Sequence, residues 1–586
     1  MPYVVPLDEI RFSLAAIAGV DVAGVDMVLE EAARFAEGAF APLYAVGDEQ
    51  GCRFADGRVR LPAGFPEAYR ACVESGWPAL QHPVRLGGQG LPVSVAVAVA
   101  EMFNGANLAL SMSMMPLGGA VALIDRYGTP AQRTKYLPRI VSGHWTVTMA
   151  MTEPQAGSDL GAIRTSAARD GDGGYRVKGQ KVLITFGEHE MTENIVHLVL
   201  ARSPDGPAGA KGLSLYMVTK EKTDDQGRPI GRNDVRCVGI ERKMGLRGSP
   251  TTTLAFGEQE GAQGELLGKE NCGLEQMFVL LNRARLNVAV FGLGSAERAR
   301  QAALAYARER VQGRDESGKR TAIIGHPDVH RMLMHMTCIA EACRALAYYT
   351  ASVMDQLETA DAEQQQELRS GLELLTPIAK GWCTEQAFTA TSLGVQVFGG
   401  MGYIEECEAS QCFRDARVHT LYEGTTAIQA NDLLFRKVVR DHGRAASWLL
   451  SQVVADLDGF QGADLGSARD ILAEGVAAAK SATEHVLASA ASEGARMRTQ
   501  AVHYLMLMGA ITAGWLLLRA AAKVEQSGSY TEGFIARKTG AALFFMEQVL
   551  RPATSLAPTF QAGVGSFDPD YAAAANSAPG AVGSPG

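Results

Sequence analysis

The chain is missing the marks of several protein classes. Its nine cysteines are odd in number and include no C-x-x-C pair, so they build neither a disulfide framework nor a zinc site, and no metal is expected. Cys338 and Cys343 lie five apart, a spacing that does not share a helix face, and reduced cytosolic thiols are the economical reading. Basic charge is scarce: 55 Lys and Arg against 64 Asp and Glu give a net charge of −9, where a nucleic-acid-binding chain shows a basic excess. The opening residues, MPYVVPLDEIRFSLAAIAGVD, have no basic n-region, so a cytoplasmic location is expected. No complete dinucleotide fingerprint occurs. Gly292-Leu293-Gly294-Ser295 comes nearest, but it sits inside a helical pattern and lacks the third glycine. One apolar run, Ala501–Leu518, is long enough to span a bilayer. It holds His503 and two glycines, ends at Arg519 and lies among Ala-rich amphipathic segments, which favours a buried bundle helix over a membrane span.

What is present is a long folded chain. At 586 residues it exceeds a single core, and 47% hydrophobic with 20% charged residues is the balance of a globular protein. Apolar residues at three- and four-residue spacing, as in VDMVLEEAARFAEGAF, make the first part helical from Val25 to about Gly143. Short β-rich runs follow (YRVKGQKVLIT, NIVHLVLARS, GLSLYMVT, DVRCVGI, TTTLAF), separated by Gly, Asp and Pro clusters. The helical period returns near Gly273. The fold class expected is α+β, mainly α: an N-terminal helical domain (1–145), a middle β-sheet or barrel domain (146–270), a C-terminal helical bundle (271–440), and an additional helical extension with a tail (441–586). The tail from about Ser555, rich in Ala, Gly, Pro and Ser, is expected to lack a core of its own.

Chemistry concentrates in Leu421-Tyr422-Glu423-Gly424-Thr425-Thr426-Ala427-Ile428-Gln429. A carboxylate on a Gly-permitted bend can be aimed into a cavity, and Leu421 and Tyr422 would desolvate it and strengthen it as a base. Met149-Ala150-Met151-Thr152-Glu153-Pro154-Gln155-Ala156-Gly157-Ser158 and Gly179–Thr185 supply two hydroxyl-bearing loops from one sheet. Together they can grip the polar edge of a flat heterocycle while Leu183 or Ile184 packs its face. Gln396-Val397-Phe398-Gly399-Gly400-Met401-Gly402 is a glycine-rich bend that can admit a diphosphate.

In order and separation, TEPQAGSDL, GQKVLIT, KMGLRGSPTTTL, ARERVQGR, QVFGGMGY, RDARV and LYEGTTAIQ resemble the motifs of the acyl-CoA dehydrogenase family over about residues 60–440. The extension past Arg440 is similar to the larger branch that includes 3-methylmercaptopropionyl-CoA and long-chain acyl-CoA dehydrogenases. The resemblance implies FAD bound without a Rossmann fingerprint. Met149, Met151, Thr152, Gly157 and Ser158 would line the flavin and thioester side, with Leu183, Ile184 and Thr185 against the ring system. Arg310 and Gln396, Val397, Phe398, Gly399 and Gly400 would reach FAD held mainly by a neighbouring subunit, and Thr425 would complete the flavin contacts. Ser158, Arg285, Tyr422 and Gly424 would serve the substrate or the catalytic loop.

Glu423 would take the α-proton of an acyl-CoA while hydride leaves the β-carbon for the flavin, and the thioester carbonyl would rest on the Glu423 N–H. Electrons would pass to an electron-transfer flavoprotein, and the protein would be a homo-oligomer, a dimer by preference. Three departures stand out: Leu183 where the family often has Trp or Phe, Phe186 where a small or polar residue is common, and Pro327 where many members carry a glutamine. Two rival activities share the fold: an acyl-CoA oxidase, and a flavin-bearing DNA-binding protein whose basic C-terminal region is missing here.

Overall fold

The computed structural model describes residues 2–562, apart from 172, 462 and 529. The N-terminal part is built from α1 (Leu7–Ser13), α2 (Asp26–Phe35), α3 (Tyr44–Gln50), α4 (Phe65–Glu74), α5 (Val93–Ser111), α6 (Leu117–Tyr127) and α7 (Pro130–Val141). Helix α7 starts on a capping box, in which Thr129 Oγ1 and the Gln132 side chain satisfy each other's backbone N–H groups. The all-helical expectation misses one feature. Strands β1 (Arg53–Ala55) and β2 (Arg58–Arg60) form a hairpin inside this part, turning at Asp56-Gly57, both with positive φ.

The β part begins with β3 (Trp145–Ala150), β4 (Ser166–Arg169), β5 (Tyr175–Thr185), β6 (Asn194–Arg202) and β7 (Leu213–Thr219). A small hairpin of β8 (Glu221–Thr223) and β9 (Pro229–Arg232) follows, then β10 (Val235–Ile240), β11 (Thr251–Phe256) and β12 (Ala262–Leu266). Because β4 pairs with both β5 and β6, the ring β4-β5-β12-β7-β6 closes into a five-stranded barrel. Val177, Val199, Tyr216 and Val218 are buried in its core. Strand β6 is buried on both faces except at its last residue, which is why NIVHLVLA reads as a nearly unbroken apolar run. Strand β3 lies parallel to β6 at the edge, while β11 and then β10 extend the sheet from β5.

Three long helices frame the site: α8 (Gly273–Glu309), α9 (Pro327–Thr359) and α10 (Ala362–Phe398), followed by the short α11 (Glu408–Ala416) and α12 (Thr426–Asn431). The Gly292–Ser295 run lies inside α8, as its pattern indicates. The extension comprises α13 (Arg444–Leu457), α14 (Ala463–Ser527) and α15 (Glu532–Phe545). Helix α14 is not one rod. Thr483 Oγ1 and Tyr504 OH bond at 2.8 Å, although 21 residues of straight helix would hold them about 30 Å apart. The run therefore doubles back between them.

The extension packs on α9 and α10. Tyr349 meets Trp515 edge-on at 5.1 Å, and Gly509 leaves room for Trp382, whose ring a Cβ would approach to 2.4 Å. Three stretches, Val93–Tyr127, Gly273–Glu309 and Arg496–Ser527, are long and apolar enough to cross a membrane, and 72–89% of their most apolar windows is buried inside the protein. The coreless expectation for the tail fails at Leu556–Ala562, a helix whose buried Phe560 packs on Tyr504 and His485. Residues 563–586 of that tail lie outside the described residues.

Candidate active site

Glu423 sits on a tight loop between a 3-10 turn (Arg417–Thr420) and α12, whose N-cap is Thr425. Glu423 and Gly424 have φ of +53° and +93°. A left-handed glutamate costs about 1–2 kcal/mol relative to ordinary backbone, so other contacts must hold it there. Gln429 Nε2 donates to Glu423 O at 2.9 Å and to Gly424 O at 3.3 Å, and Lys380 Nζ from α10 donates to Gly424 O at 2.7 Å. A Cβ on residue 424 would lie 2.7 Å from Gln429 Nε2. The glycine is thus required by the loop itself, not only by a ligand.

These contacts all fall on carbonyl oxygens. The Glu423 side-chain Oε2 is buried with no hydrogen-bond partner, and among the described residues its N–H finds no acceptor. Burial raises the Glu423 pKa, and the nearby cations Arg285 and Lys380 only partly oppose it. Burial also brings Lys380 down to about 8, with Glu423 pulling the other way. Arg285 lies behind the loop: its Nη1 donates to Asp432 Oδ2 at 3.0 Å, and its buried Nε is unbonded. Tyr422 is oriented by a chain of hydroxyl and ring contacts. Ser295 Oγ donates to Phe291 O (3.0 Å), so it accepts from His419 Nε2 (3.3 Å), which leaves His419 Nδ1 to accept from Tyr422 OH (3.0 Å). Burial, helped by Lys380, lowers His419 to about 3 and keeps the ring neutral.

The sheet-side loop is anchored by an ion pair that the sequence did not flag. Lys181 Nζ reaches Glu153 Oε1 at 2.8 Å and Met151 O at 2.9 Å, with both side chains buried. Glu153 also accepts from the N–H groups of Arg164 (2.8 Å) and Thr165 (3.0 Å). Val182 N–H donates to Thr152 O at 2.9 Å, tying β5 to the loop and gathering Met151, Thr152 and Leu183. In the β5–β11 register Thr252 faces Ile184 and Leu254 faces Lys181, so Thr253 stands opposite both Val182 and Leu183. That β-bulge puts Leu183 at φ +60° and leaves it 59% exposed. The same register buries the Ile184 side chain in the barrel core and leaves Leu183 exposed and Thr185 half-buried. Phe186, also left-handed, is buried. Met149 packs partly into the core, whereas Gly157 and Ser158 are exposed, with nothing within 4 Å of a Cβ at Gly157.

Arg310 and the Gln396–Gly400 bend form a separate patch. Tyr306 on α8 stacks on Phe398 at 4.2 Å, which brings the C-terminal ends of α8 and α10 together. Gln396 is 16 residues past Lys380 on α10, about 24 Å along the axis, so this patch does not meet Glu423 within one protomer. Arg310, Gln396, Gly399 and Gly400 are exposed, Phe398 is half-buried and Val397 is buried. No atom lies within 4 Å of a Cβ at either glycine. Val311, Met401, Ile404 and Tyr403, the last 88% exposed, surround it with apolar surface. Pro327 opens α9, and His326 before it bonds Gln312 O through Nε2 at 2.8 Å.

Lys380, Asp432 and His419 lie outside the residues that the sequence marks. Only Lys380 carried a signal, as a lone charge in the apolar helical stretch LLTPIAKGW. The exposed Leu183 and Gly157 offer the sheet side to a flat heterocycle, and the unbonded Glu423 Oε2 suits a ligand with an acidic C–H. Among the described residues no cluster of metal-ligating side chains occurs.

Comparison with known proteins agrees with this geometry. The chain matches the acyl-CoA dehydrogenase N-terminal domain over residues 24–144, the middle domain over 148–258 and the C-terminal domain over 271–436, and an acetyl-CoA dehydrogenase C-terminal-like domain over 449–567. It is 42% identical to a 3-methylmercaptopropionyl-CoA dehydrogenase of Ruegeria pomeroyi, covering 94% of this chain and 96% of the relative. It is 36% identical to the broad-specificity linear acyl-CoA dehydrogenase FadE5 of Mycobacterium tuberculosis, covering 92% of each. In fold it resembles an acyl-CoA dehydrogenase from Bacillus anthracis solved with FAD, at a TM-score of 0.72 and 20% identity over 92% of this chain and 87% of that one.

Proposed function

This chain belongs to the acyl-CoA dehydrogenase family, and from that premise we propose that it oxidises the α,β bond of an acyl-CoA thioester to the trans-2-enoyl-CoA. The observation that carries this reading is the division of labour on the Glu423 loop, with its carbonyls engaged and its carboxylate and N–H free. A thioester α C–H is a very weak acid, so a carboxylate can remove the proton only where the developing enolate is stabilised in the same step. The free Glu423 N–H is placed to receive the thioester carbonyl oxygen, and the raised pKa of Glu423 makes its carboxylate a stronger base than one in water. The proton goes to Glu423; Met151–Ser158, Leu183 and Thr185 would hold FAD, which would supply the acceptor for the β-hydride. Burial of Glu423 Oε2 keeps bulk water from the oxygen that takes the proton.

Electrons then leave to an electron-transfer flavoprotein. The separation of the Arg310 and Gln396–Gly400 patch from Glu423, with the apolar surface around it, supports a second copy of the chain supplying that patch to its neighbour's FAD. The extension seated on α9 and α10 covers a face that further copies would otherwise use, which favours a dimer. The working location is the cytoplasm.

The test is an anaerobic titration of the purified protein with acyl-CoAs of increasing chain length, followed at the flavin absorption band. Bleaching by one chain-length class supports the reading and identifies the acyl group. A bound flavin that no acyl-CoA bleaches would overturn it, and peroxide formed in air at the turnover rate would replace it with an oxidase.

A further inference from the structure

Between α5, α6 and the first half of α8 lies a cavity enclosing about 920 Å³ of non-protein space, part of it open to solvent. Its walls are mainly apolar, with Trp77, Leu80, Val97, Phe103, Met115 and Leu286 among them. The inner end adjoins the active site: Phe291 lines the cavity, and its ring lies 6.1 Å from that of His419, which orients Tyr422 beside Glu423. Arg283 stands at the other end of the same wall, eight residues before Phe291 on α8, or about 12 Å along the axis.

Arg283 is the anomaly. Among the described residues it makes no hydrogen bond and no ion pair, although it lines a largely apolar space and burial lowers its pKa. The carboxylates acting on it from a distance are Glu358 and Asp355, and both Asp355 oxygens are taken by the N–H groups of Val93 (2.6 Å) and Ser94 (3.1 Å). Other polar groups of the lining differ in their freedom. Asn287 Nδ2 is spent on Met115 O at 3.0 Å, whereas Asn104 Nδ2 is buried without a partner. The half-exposed Arg283 guanidinium on α8 is thus free to meet acceptors that a ligand in the cavity supplies, and Asn104 on α5 adds a second free donor on the facing helix.

On the reading that this is an acyl-CoA dehydrogenase, we propose that the cavity receives the far end of the acyl chain and that Arg283 is a specificity-determining residue selecting acyl groups that carry a hydrogen-bond-accepting oxygen at that end. The first few carbons remain at Glu423, the apolar wall takes the middle of the chain, and the terminal oxygen meets the Arg283 guanidinium. The accepting oxygen is a carboxylate or a neutral carbonyl, and the two are separable by experiment.

The experiment compares flavin-reduction kinetics of the FAD-loaded protein on three acyl-CoA series matched in length: plain alkyl, terminal carboxylate and near-terminal ketone. Wild-type protein is expected to favour at least one oxygenated series over the plain chain by about tenfold or more in kcat/KM, because a site built for a polar group rejects the analogue lacking it. Arg283→Met should cost the favoured series about a hundredfold and leave plain chains within about threefold. Arg283→Lys should restore the carboxylate series better than the ketone series, which distinguishes an anionic from a neutral end. Preference of the wild type for plain chains, or an equal effect of Arg283→Met on all series, would overturn the proposal while leaving dehydrogenation intact. If Arg283→Met fails to hold FAD, the wild-type preference alone decides. Reduction by no series at all would instead bring down the functional reading on which the proposal rests.

Discussion

Two buried acidic clusters in the same helical bundle are treated in opposite ways. In the first, Glu101 on α5 has both carboxylate oxygens saturated: Arg344 donates Nε and Nη2 at 2.9 and 2.7 Å, and Tyr348 OH donates at 2.7 Å. Glu297 beside it is served by Arg300, Gln301 and Arg344, whose pull outweighs burial and holds it at about 2. In the second cluster burial wins. The Glu423 pKa is raised, one carboxylate oxygen is unbonded, and the nearest cations spend their hydrogen bonds elsewhere, Lys380 on the Gly424 carbonyl and Arg285 on Asp432. The first arrangement ties α5, α8 and α9 together. The second fixes a loop through its carbonyls and leaves the carboxylate reactive. A satisfied buried charge is a structural part, and one held in place yet left without partners is where chemistry is to be sought.

Exchanging the features of the two clusters is the way to break this contrast. Glu423→Gln should have the largest effect, slowing anaerobic flavin reduction by about 10³-fold or more. The bound flavin should keep its colour, and the unfolding midpoint should stay or rise, because no buried charge pair is broken. More than a tenth of the wild-type rate would remove Glu423 from the role of base. Arg344→Met should do the reverse: it leaves the buried Glu101 without its cation and Glu297 with Arg300 alone, and costs about 3–5 kcal/mol in denaturant unfolding, while molecules that remain folded keep their turnover.

Lys380→Met sharpens the comparison more gently. Lys380 favours the charged form of Glu423, so its loss raises that pKa further. The base is active only when deprotonated, so the acid side of the pH–rate profile should move to higher pH, read from flavin reduction across a pH series. A shift to lower pH would contradict the assignment. Tyr422→Phe should matter least: it loses the bond to His419, worth about 0.5–1.5 kcal/mol, with turnover within a few-fold by the same assay.

Much of this contrast could be read along the chain, and the unread parts have physical reasons. The order of the seven motifs and the glycine after Glu423 are local signals, and so is the alternation that marks β5. The β1–β2 hairpin escaped because RFADGRVR buries only Val59, so its apolar pattern is too thin to see despite the Asp56-Gly57 turn. The doubling back of α14 is hidden by helix-forming alanines around Gly494, which lies midway between Thr483 and Tyr504. Whether Leu183 or Ile184 projects outward is open from the sequence because strand alternation alone does not reveal the bulge at Leu183 that resets which side chains face the barrel core. Lys380, Asp432 and Arg283 are separated by long stretches of chain from what they act on, and no periodicity along one helix reports a neighbour on another.

The account rests most directly on the ionisation of Glu423, and the measurement that tests it is the pH dependence of single-turnover flavin reduction by a saturating acyl-CoA, in wild type and Glu423→Gln side by side. A wild-type acid limb with its midpoint above the ordinary glutamate value of 4.5, absent from the variant's residual rate, is the result expected. A limb at or below that value, or one that persists unchanged in Glu423→Gln, would contradict the assignment of the base.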